Sequence, residues 1–156
     1  QFRSKTLALN VAATLAASGL AASRLELEIT EAVLIRDDEV ALDVLHQLRK
    51  LGVRVALDDF GTGYSSLGYL STYPFAQVKI DQSFTKTVQS SEASKAIIEA
   101  VCQLARRLSM NVVVEGVETE QQRIAVQLLG AQRAQGYFFG KPAPVASLAE
   151  AKRHVA

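Results

Sequence analysis

Short runs in which apolar and polar residues alternate are separated, along most of the chain, by longer stretches with helical periodicity. Residues 25–30 read Leu-Glu-Leu-Glu-Ile-Thr, so the apolar residues share one face of an extended chain and the polar residues share the other. Between 91 and 108, apolar residues recur with the period of an amphipathic helix. These patterns predict strands at 25–30, 53–58, 77–81, 111–118 and 135–140, and helices at about 7–20, 38–51, 65–70, 91–108, 119–129 and 145–154.

Five strands that alternate with helices predict an α/β fold with a parallel sheet or barrel, because each return to a parallel strand needs a crossover connection. In such folds ligands gather at the carboxyl ends of the strands. The length of 156 residues and the hydrophobic content of 49% allow a single domain with a sizeable core. The residues that end each strand are therefore the first candidates for function.

The charge and the cysteine content narrow the classes of partner and environment. The formal net charge of +1 gives no reason to expect a nucleic-acid polymer or an anionic membrane as a partner. No apolar run approaches the roughly 20 residues that span a bilayer, so no membrane insertion of this segment is expected. The single cysteine, Cys102, falls in the apolar pattern of a predicted helix, which favours a reduced, cytoplasmic protein with a structural thiol.

The stretch 58–63, Asp-Asp-Phe-Gly-Thr-Gly, comes at the end of the second predicted strand. Two adjacent carboxylates at the end of a buried strand are costly unless a cation is bound there. The other strands supply further ionisable groups with inward-facing parity near their carboxyl ends. The whole inward set is Glu28, Asp58, Lys79, Asp81 and Glu115. Carboxylates without histidine or thiolate partners form a hard oxygen site, suited to Mg²⁺ or Mn²⁺ rather than Zn²⁺.

An alternative interpretation is an ionic core, in which the carboxylates pair with Lys79 and Arg54. A buried network with such an excess of acids would be expensive without a metal ion, so the metal site is favoured. Glu26 and Arg54 face inward one step below the acidic group, and for them a structural ion pair is the preferred interpretation. The aromatic residues 137–139, placed in the last predicted strand, are interpreted as core residues rather than as a stacking surface for a nucleobase.

Five motifs resemble, in their order and approximate spacing, those of the EAL domain, the cyclic di-GMP phosphodiesterase family of bacterial signalling. They are Leu-Glu-Ile-Thr-Glu at 27–31, Asp-Asp-Phe-Gly-Thr-Gly at 58–63, Val-Lys-Ile-Asp at 78–81, Glu-Gly-Val-Glu-Thr at 115–119 and Gln-Gly-Tyr at 135–137. The resemblance covers essentially the whole chain and implies a (β/α)₈ barrel of TIM type in the complete domain. Residues 1–156 would be a single truncated EAL domain, the C-terminal part, with about five of the parallel strands.

The resemblance also implies roles for the residues at the strand ends. Two Mg²⁺ or Mn²⁺ ions would be held by Glu28, Asp58, Asp59 and Glu115, with Asp58 as the bridging ligand. The catalytic pair would be Lys79, which holds the attacking water, and Glu115, which acts as the general base. Such paired ions stabilise both the attacking and the leaving oxygen of an in-line displacement at phosphorus.

Further residues would bind the substrate or hold a loop. The pocket for cyclic di-GMP would be lined by Asp81, Glu118 and Gln135. The residues assigned to a mobile loop over the second ion are Gly61 and Gly63, which permit its backbone angles, and Glu31, which anchors it. For Glu31, a solvated acid at the start of a helix is an equally good explanation.

Three features of the family pattern are absent: the Glu-Ala-Leu motif, the arginine that follows it and an asparagine from a later strand. They would precede Gln1, so about three N-terminal strands are expected outside this chain. The intact parent is predicted to hydrolyse cyclic di-GMP to linear pGpG, whereas the fragment alone would be inactive. The alternative is a catalytically incomplete domain that senses cyclic di-GMP or binds a protein partner. A homodimer and flanking signalling domains are further expectations from the resemblance.

Overall fold

The computed structural model describes residues 6–31, 38–63 and 67–144. Within these ranges the chain forms five strands, six α-helices and one 3₁₀ turn at Ala22–Arg24. The strands are β1 Glu26–Thr30, β2 Arg54–Phe60, β3 Gln77–Ile80, β4 Asn111–Val114 and β5 Arg133–Ala134. The helices are α1 Leu7–Ser18, α2 Asp38–Lys50, α3 Leu67–Thr72, α4 Gln82–Thr87, α5 Glu92–Arg107 and α6 Glu120–Leu128.

All five strands are parallel and lie in one sheet in the order β1-β2-β3-β4-β5. Each strand therefore pairs with the next strand along the chain. Right-handed crossovers in such a sequential order all fall on one side of the sheet, so the arrangement is that of an arc of a (β/α)₈ barrel rather than a doubly wound sheet. The prediction of an α/β fold with five parallel strands is confirmed.

The core lies between the sheet and its covering helices. Leu48 of α2 and Ile98 of α5 are fully buried in it. The inner strands contribute Val78, Ile80, Val112 and Val114, none of which has exposed surface. Cys102 lies in the same cluster, together with Met110, so the interpretation of Cys102 as a packing residue is confirmed. No helix in the described part of the chain is long and apolar enough to cross a membrane.

The last two strands end differently from the alternation pattern. β4 ends at Val114 rather than at 118, because Gly116 takes a left-handed φ of 69° and turns the chain out of the ladder. The strand predicted at 135–140 is wrong: β5 comprises only Arg133–Ala134, and a turn follows it. Tyr137, the first of three consecutive aromatic residues in that turn, is 59% exposed. The interpretation of 137–139 as strand core is therefore wrong as well.

The sequence patterns also missed α4, a helix of six residues directly after β3. Asp81 ends the inward-facing run of β3 and caps this helix, since its Oδ1 accepts a hydrogen bond of 2.9 Å from the amide of Ser83. A capping box formed by Thr119 and Gln122 begins α6, a pattern that the sequence also shows. The helix predicted at 145–154 lies outside the described residues.

Candidate metal centre

Four charged side chains meet at the carboxyl edge of the sheet. Lys79 of β3 lies at the centre, with only 6% of its side chain exposed. Its Nζ atom is 2.9 Å from Glu28 Oε1 on β1, 3.0 Å from Asp58 Oδ1 on β2 and 2.8 Å from Glu115 Oε1 after β4. Inward parity on neighbouring parallel strands therefore brings these four residues together, as the sequence indicated.

Asp58 and Asp59 reach the same side of the sheet through an irregularity in β2. Leu57 pairs with Val78 and Phe60 with Ile80, so β2 holds one residue more than β3 between these pairs, which is a β-bulge. Asp59 itself has a φ of 54°, in the left-handed region. Adjacent residues of a regular strand point to opposite faces. The bulge and the left-handed residue remove that restriction and allow both carboxylates to face the site.

Glu115, in contrast to Asp59, reaches the site from a regular strand end. Its amide still donates to Ile80 O of β3 at 3.0 Å, so its backbone nitrogen continues the ladder of the sheet. The turn comes one residue later, at Gly116, where an added Cβ would lie 2.4 Å from the Cβ of Gln82 in α4. Only glycine fits this close approach. The carboxylate of Glu115 is therefore held at the end of a regular strand.

Three of these carboxylates have the geometry of a metal-ion site. One oxygen each from Asp58, Asp59 and Glu115 can be chosen so that all three lie within 4.8 Å of one another. Asp58 Oδ1 is buried and, apart from its ion-pair contact with Lys79, has no hydrogen-bond partner among the described residues. This one donor is shared with Glu28 and Glu115, so the carboxylates are only partly compensated, which is costly at a buried oxygen. The residues present therefore fit a hard divalent cation, which prefers carboxylate oxygen ligands.

The ionic core considered as an alternative is present in part, because Lys79 does contact three carboxylates. One ammonium group does not neutralise them together with Asp59, and Arg54 pairs instead with Glu26, at 3.5 Å between Nε and Oε2. The structural ion pair expected for Glu26 and Arg54 is thus confirmed. The negative charge that Lys79 leaves uncompensated favours a bound cation.

The electrostatics of the cluster reflect this excess of acids. Burial raises the pKa of Glu115, and Asp58 and Glu28 raise it further, while contact with Lys79 opposes the rise. Burial and repulsion from Asp58 also raise the pKa of Asp59. Burial by itself would lower the pKa of Lys79, but the contacts with Glu115, Glu28 and Asp58 outweigh burial and raise that pKa above its ordinary value. Lys79 therefore remains protonated, and the carboxylates around it repel one another.

A cleft of about 240 Å³ opens beside Glu115. Two of the predicted substrate residues, Glu118 and Gln135, line it together with Gln82, Gly116, Gly136 and Tyr137. The cleft is smaller than the roughly 300–1,000 Å³ pockets that enclose a drug-sized ligand, so it can take only part of a cyclic dinucleotide. The exposed ring of Tyr137 belongs to this cleft, which places it at the candidate site rather than in the core.

Asp81, the third predicted substrate residue, is not part of that lining. Its carboxylate accepts from the amide of Ser83 and caps α4. Burial alone would raise the pKa of Asp81, but hydrogen bonds from the Ser83 side chain and from the amides of Ser83 and Gln82 outweigh burial and lower it. Asp81 therefore remains ionised beside the cluster, where it adds to the negative potential at Asp59. A substrate role for Asp81 stays a prediction.

The described part of the loop after β2 packs against two elements. An added Cβ at Gly61 would lie 2.7 Å from the ring of Phe84, so α4 supports the loop from below. At Gly63 an added Cβ would lie 3.4 Å from Glu31 Oε2. Glu31 is buried, with 5% of its surface exposed, so it is not the solvated acid that was the other explanation. Residues 64–66 of the loop lie outside the described ranges.

Two contributions of the helices to the site were missed from the sequence. The hydroxyl of Thr85 in α4 donates to the backbone oxygen of Glu115 at 2.6 Å. The side-chain oxygen of Gln122 in α6 accepts from the amide of Glu118 at 2.8 Å. Gln122 was identifiable only as a capping residue. For Thr85 the chain offers no recognisable pattern, because its contact depends on the unpredicted helix α4.

Comparisons with known proteins agree with the fold and with the site. The family model for the EAL domain matches residues 1–142. The cyclic di-GMP phosphodiesterase RocR of Pseudomonas aeruginosa is 42% identical over 144 residues, which are 92% of this chain and 37% of that protein. The structure of the P. aeruginosa MucR phosphodiesterase in complex with cyclic di-GMP has a TM-score of 0.89 and 39% identity, covering 94% of this chain and 60% of that chain.

A third comparison involves a metal ion. The manganese and cyclic di-GMP complex of Klebsiella pneumoniae BlrP1 has a TM-score of 0.85 and 31% identity, covering 90% of this chain and 36% of that chain. Fold and site together define a parallel α/β domain with an acidic, divalent-metal type of centre at the carboxyl edge of its sheet. The chain belongs to the EAL domain family. It spans 37% of the length of RocR and 17% of the length of NbdA, two curated relatives from P. aeruginosa.

Proposed function

We propose that the protein containing this chain hydrolyses one phosphodiester bond of cyclic di-GMP to give linear pGpG, with two Mg²⁺ or Mn²⁺ ions as cofactors. The observation that carries the proposal is the convergence of Asp58, Asp59 and Glu115, with one oxygen of each within 4.8 Å of the others, next to Lys79, whose single charge does not balance theirs. Relatives at about 40% identity are cyclic di-GMP phosphodiesterases. Structures similar to the chain were solved with cyclic di-GMP, in one case together with manganese.

The metal ligands in this chain would be Asp58, Asp59 and Glu115, joined by Glu28 once its contact with Lys79 is released. Bound divalent ions supply charge stabilisation at phosphorus and at the attacking and leaving oxygens. Glu28 is the most exposed partner of Lys79, with 48% of its side chain accessible. It is therefore the partner that can exchange a lysine contact for a cation at the smallest cost in desolvation.

Lys79 and Glu115 would carry the proton chemistry. The Lys79 ammonium donates hydrogen bonds and cannot act as a base, because its carboxylate partners keep its pKa high. It would orient the attacking water. Glu115 lies 2.8 Å from Lys79 Nζ and is the member of the cluster around Lys79 that lines the cleft, so it would accept the proton of that water. Glu118 and Gln135, with Asp81 nearby, would hold part of the substrate.

The proposal is tested by hydrolysis of cyclic di-GMP by the full-length protein, followed by chromatography of the nucleotide products. We expect pGpG to form with Mg²⁺ or Mn²⁺ and its formation to stop on chelation with EDTA. Glu115→Gln should lower kcat by at least about 10²-fold, because a general base is worth on the order of 10²–10⁴ in rate, while cyclic di-GMP still binds. The control is Glu99→Gln on α5, an exposed carboxylate that hydrogen-bonds only to Gln103 among the described residues.

Binding of cyclic di-GMP by the wild-type protein without turnover in either metal would make the protein a receptor instead of an enzyme. Unchanged turnover in Glu115→Gln would exclude the general-base role. Cytoplasmic location, a homodimer, flanking signalling domains and a single domain over 1–156 are further elements of the proposal, supported by the same resemblance.

A further inference from the structure

The side-chain hydroxyl of Thr85 hydrogen-bonds to the backbone of Glu115. Thr85 is completely buried in α4, and its Oγ1 donates to Glu115 O at 2.6 Å. A fully buried hydroxyl in a short helix is uncommon unless it has a defined partner. Its partner here is the residue that supplies a candidate metal ligand, and the hydroxyl does not itself line the cleft.

The register of the sheet explains why Glu115 needs this donor. Glu115 N donates to Ile80 O, and in a continued parallel ladder the amide of Gln82 would donate in turn to Glu115 O. Gln82 instead begins α4, because Asp81 caps that helix. The Thr85 hydroxyl, one turn later, takes the place of the missing ladder donor. On the side that faces β3, the backbone oxygen of Glu115 is therefore held by a side chain rather than by a strand amide.

The turn after β4, residues 115–119, is also linked to Thr85 through Gln122. Gln122 Nε2 donates to Thr85 O at 3.3 Å, and Gln122 Oε1 accepts from the amides of Glu118 and Thr119 at 2.8 and 3.1 Å. Thr85 thus contacts the start of the turn through its hydroxyl and the end of the turn through Gln122. Because Gly116 packs directly on α4, the turn cannot move toward that helix.

We propose that Thr85 is a positioning residue for the reaction: its hydroxyl fixes the backbone of Glu115 and so sets the direction of the Glu115 carboxylate toward Lys79 and the metal site. This inference rests on the proposed phosphodiesterase function. Misplacement of a reacting group by about 1 Å can cost on the order of 10²-fold in rate. Loss of the hydroxyl should therefore affect turnover more than substrate binding.

The test compares Thr85→Val, which keeps the shape but removes the donor, with Thr85→Ser, which keeps the donor, in the full-length protein. We expect Thr85→Val to lower kcat by roughly tenfold with KM changed by less than about twofold, and Thr85→Ser to retain wild-type kcat. The matched control is Thr87→Val in the same helix, whose hydroxyl pairs with Ser94 rather than with Glu115. A lower melting temperature with unchanged kcat in Thr85→Val would show a purely structural role and overturn the proposal.

A second measurement does not depend on catalysis. Hydrogen–deuterium exchange of the Glu115 and Val117 amides should become faster in Thr85→Val but not in Thr85→Ser. If the wild-type protein does not hydrolyse cyclic di-GMP, the proposed function fails, whereas this exchange experiment still decides whether Thr85 fixes the turn. If Thr85→Val does not fold, Thr85→Ala serves instead, since it removes the same hydroxyl without placing a second methyl group in the buried site. Unchanged exchange in the folded variant would refute the anchoring.

Discussion

The ends of β2 and β4 deliver carboxylates to the same site by opposite means. At the end of β2 the candidate ligand itself departs from regular structure: Asp59 has a φ of 54° and lies in a bulge. At the end of β4 the candidate ligand Glu115 keeps its ladder hydrogen bond to Ile80, and the following Gly116 makes the turn. One strand end places the unusual backbone conformation in a candidate ligand, whereas the other places it in a glycine.

The difference shows where the sequence is free to change. A left-handed aspartate costs roughly 1–2 kcal/mol, and such strain is kept only where the side chain is needed. A glycine in the same conformation carries no such cost, but at Gly116 the contact with Gln82 forbids any larger residue. We therefore expect relief of the strain at Asp59 to raise stability and impair function. Substitution of Gly116 should lower both stability and function.

The largest effect is expected for Gly116→Ala. The new Cβ would lie 2.4 Å from Gln82 Cβ and would also occupy a left-handed conformation. Together these changes should lower the free energy of unfolding by about 3 kcal/mol, as overpacking and an incompatible φ add. Gly19→Ala is the matched control, because Gly19 has a φ of 67° with no atom near its added Cβ. Chemical denaturation should give a loss of only about 1 kcal/mol there; equal losses at both positions would show that crowding at Gly116 is unimportant.

A smaller effect of opposite sign is expected for Asp59→Gly. Relief of the left-handed strain should raise the free energy of unfolding by about 1 kcal/mol when measured in EDTA. We expect added Mn²⁺ to raise the melting temperature of the wild type but not that of Asp59→Gly, because the variant lacks one candidate ligand. Ser109→Gly, at a φ of 59° between the end of α5 and the amino end of β4, should stabilise equally and leave the Mn²⁺ response intact. A Mn²⁺ response retained by Asp59→Gly would remove Asp59 from the ligand set.

The smallest expected effect is a change in stability with pH, caused by Cys102 in the core beneath the sheet. Burial raises the pKa of the Cys102 thiol to about 11. The thiol is thus neutral in the folded state while an unfolded thiol ionises near pH 9, so stability should fall as the pH rises from about 9 to 11. The difference in absorbance at 240 nm between wild type and Cys102→Ala should show no thiolate at pH 9. A thiolate signal at that pH would mean that Cys102 is more exposed than the structure indicates.

The difference between the ends of β2 and β4 could be predicted only in part from the sequence. Inward parity placed Glu28, Asp58, Lys79 and Glu115 together, because residues of equal parity on neighbouring parallel strands face the same side. Parity has no means of predicting that Asp59 joins them, since adjacent residues should diverge. The bulge that brings it there depends on the pairing with β3, which is a tertiary property.

The turn at 137–139 and the helix α4 were also missed because they depend on tertiary contacts. The aromatic run at 137–139 has high strand propensity, yet Gly136 packs so closely on the backbone of Val117 that the chain leaves the sheet. The short helix α4 has too few residues for a recognisable period, and only Asp81 marks its start. Both features depend on contacts between segments distant in sequence, and both contribute residues to the edge where Glu115 lies.

The direct test of a metal centre shared by the two strand ends is anomalous diffraction at the manganese edge from crystals of the full-length protein grown with Mn²⁺. We expect a peak within about 2.0–2.2 Å of oxygens from Asp58, Asp59 and Glu115. An empty site, with Lys79 still paired to Asp58 and Glu115 at saturating Mn²⁺, would mean that the cluster is a structural ion-pair network and that the two strand ends do not form a metal centre.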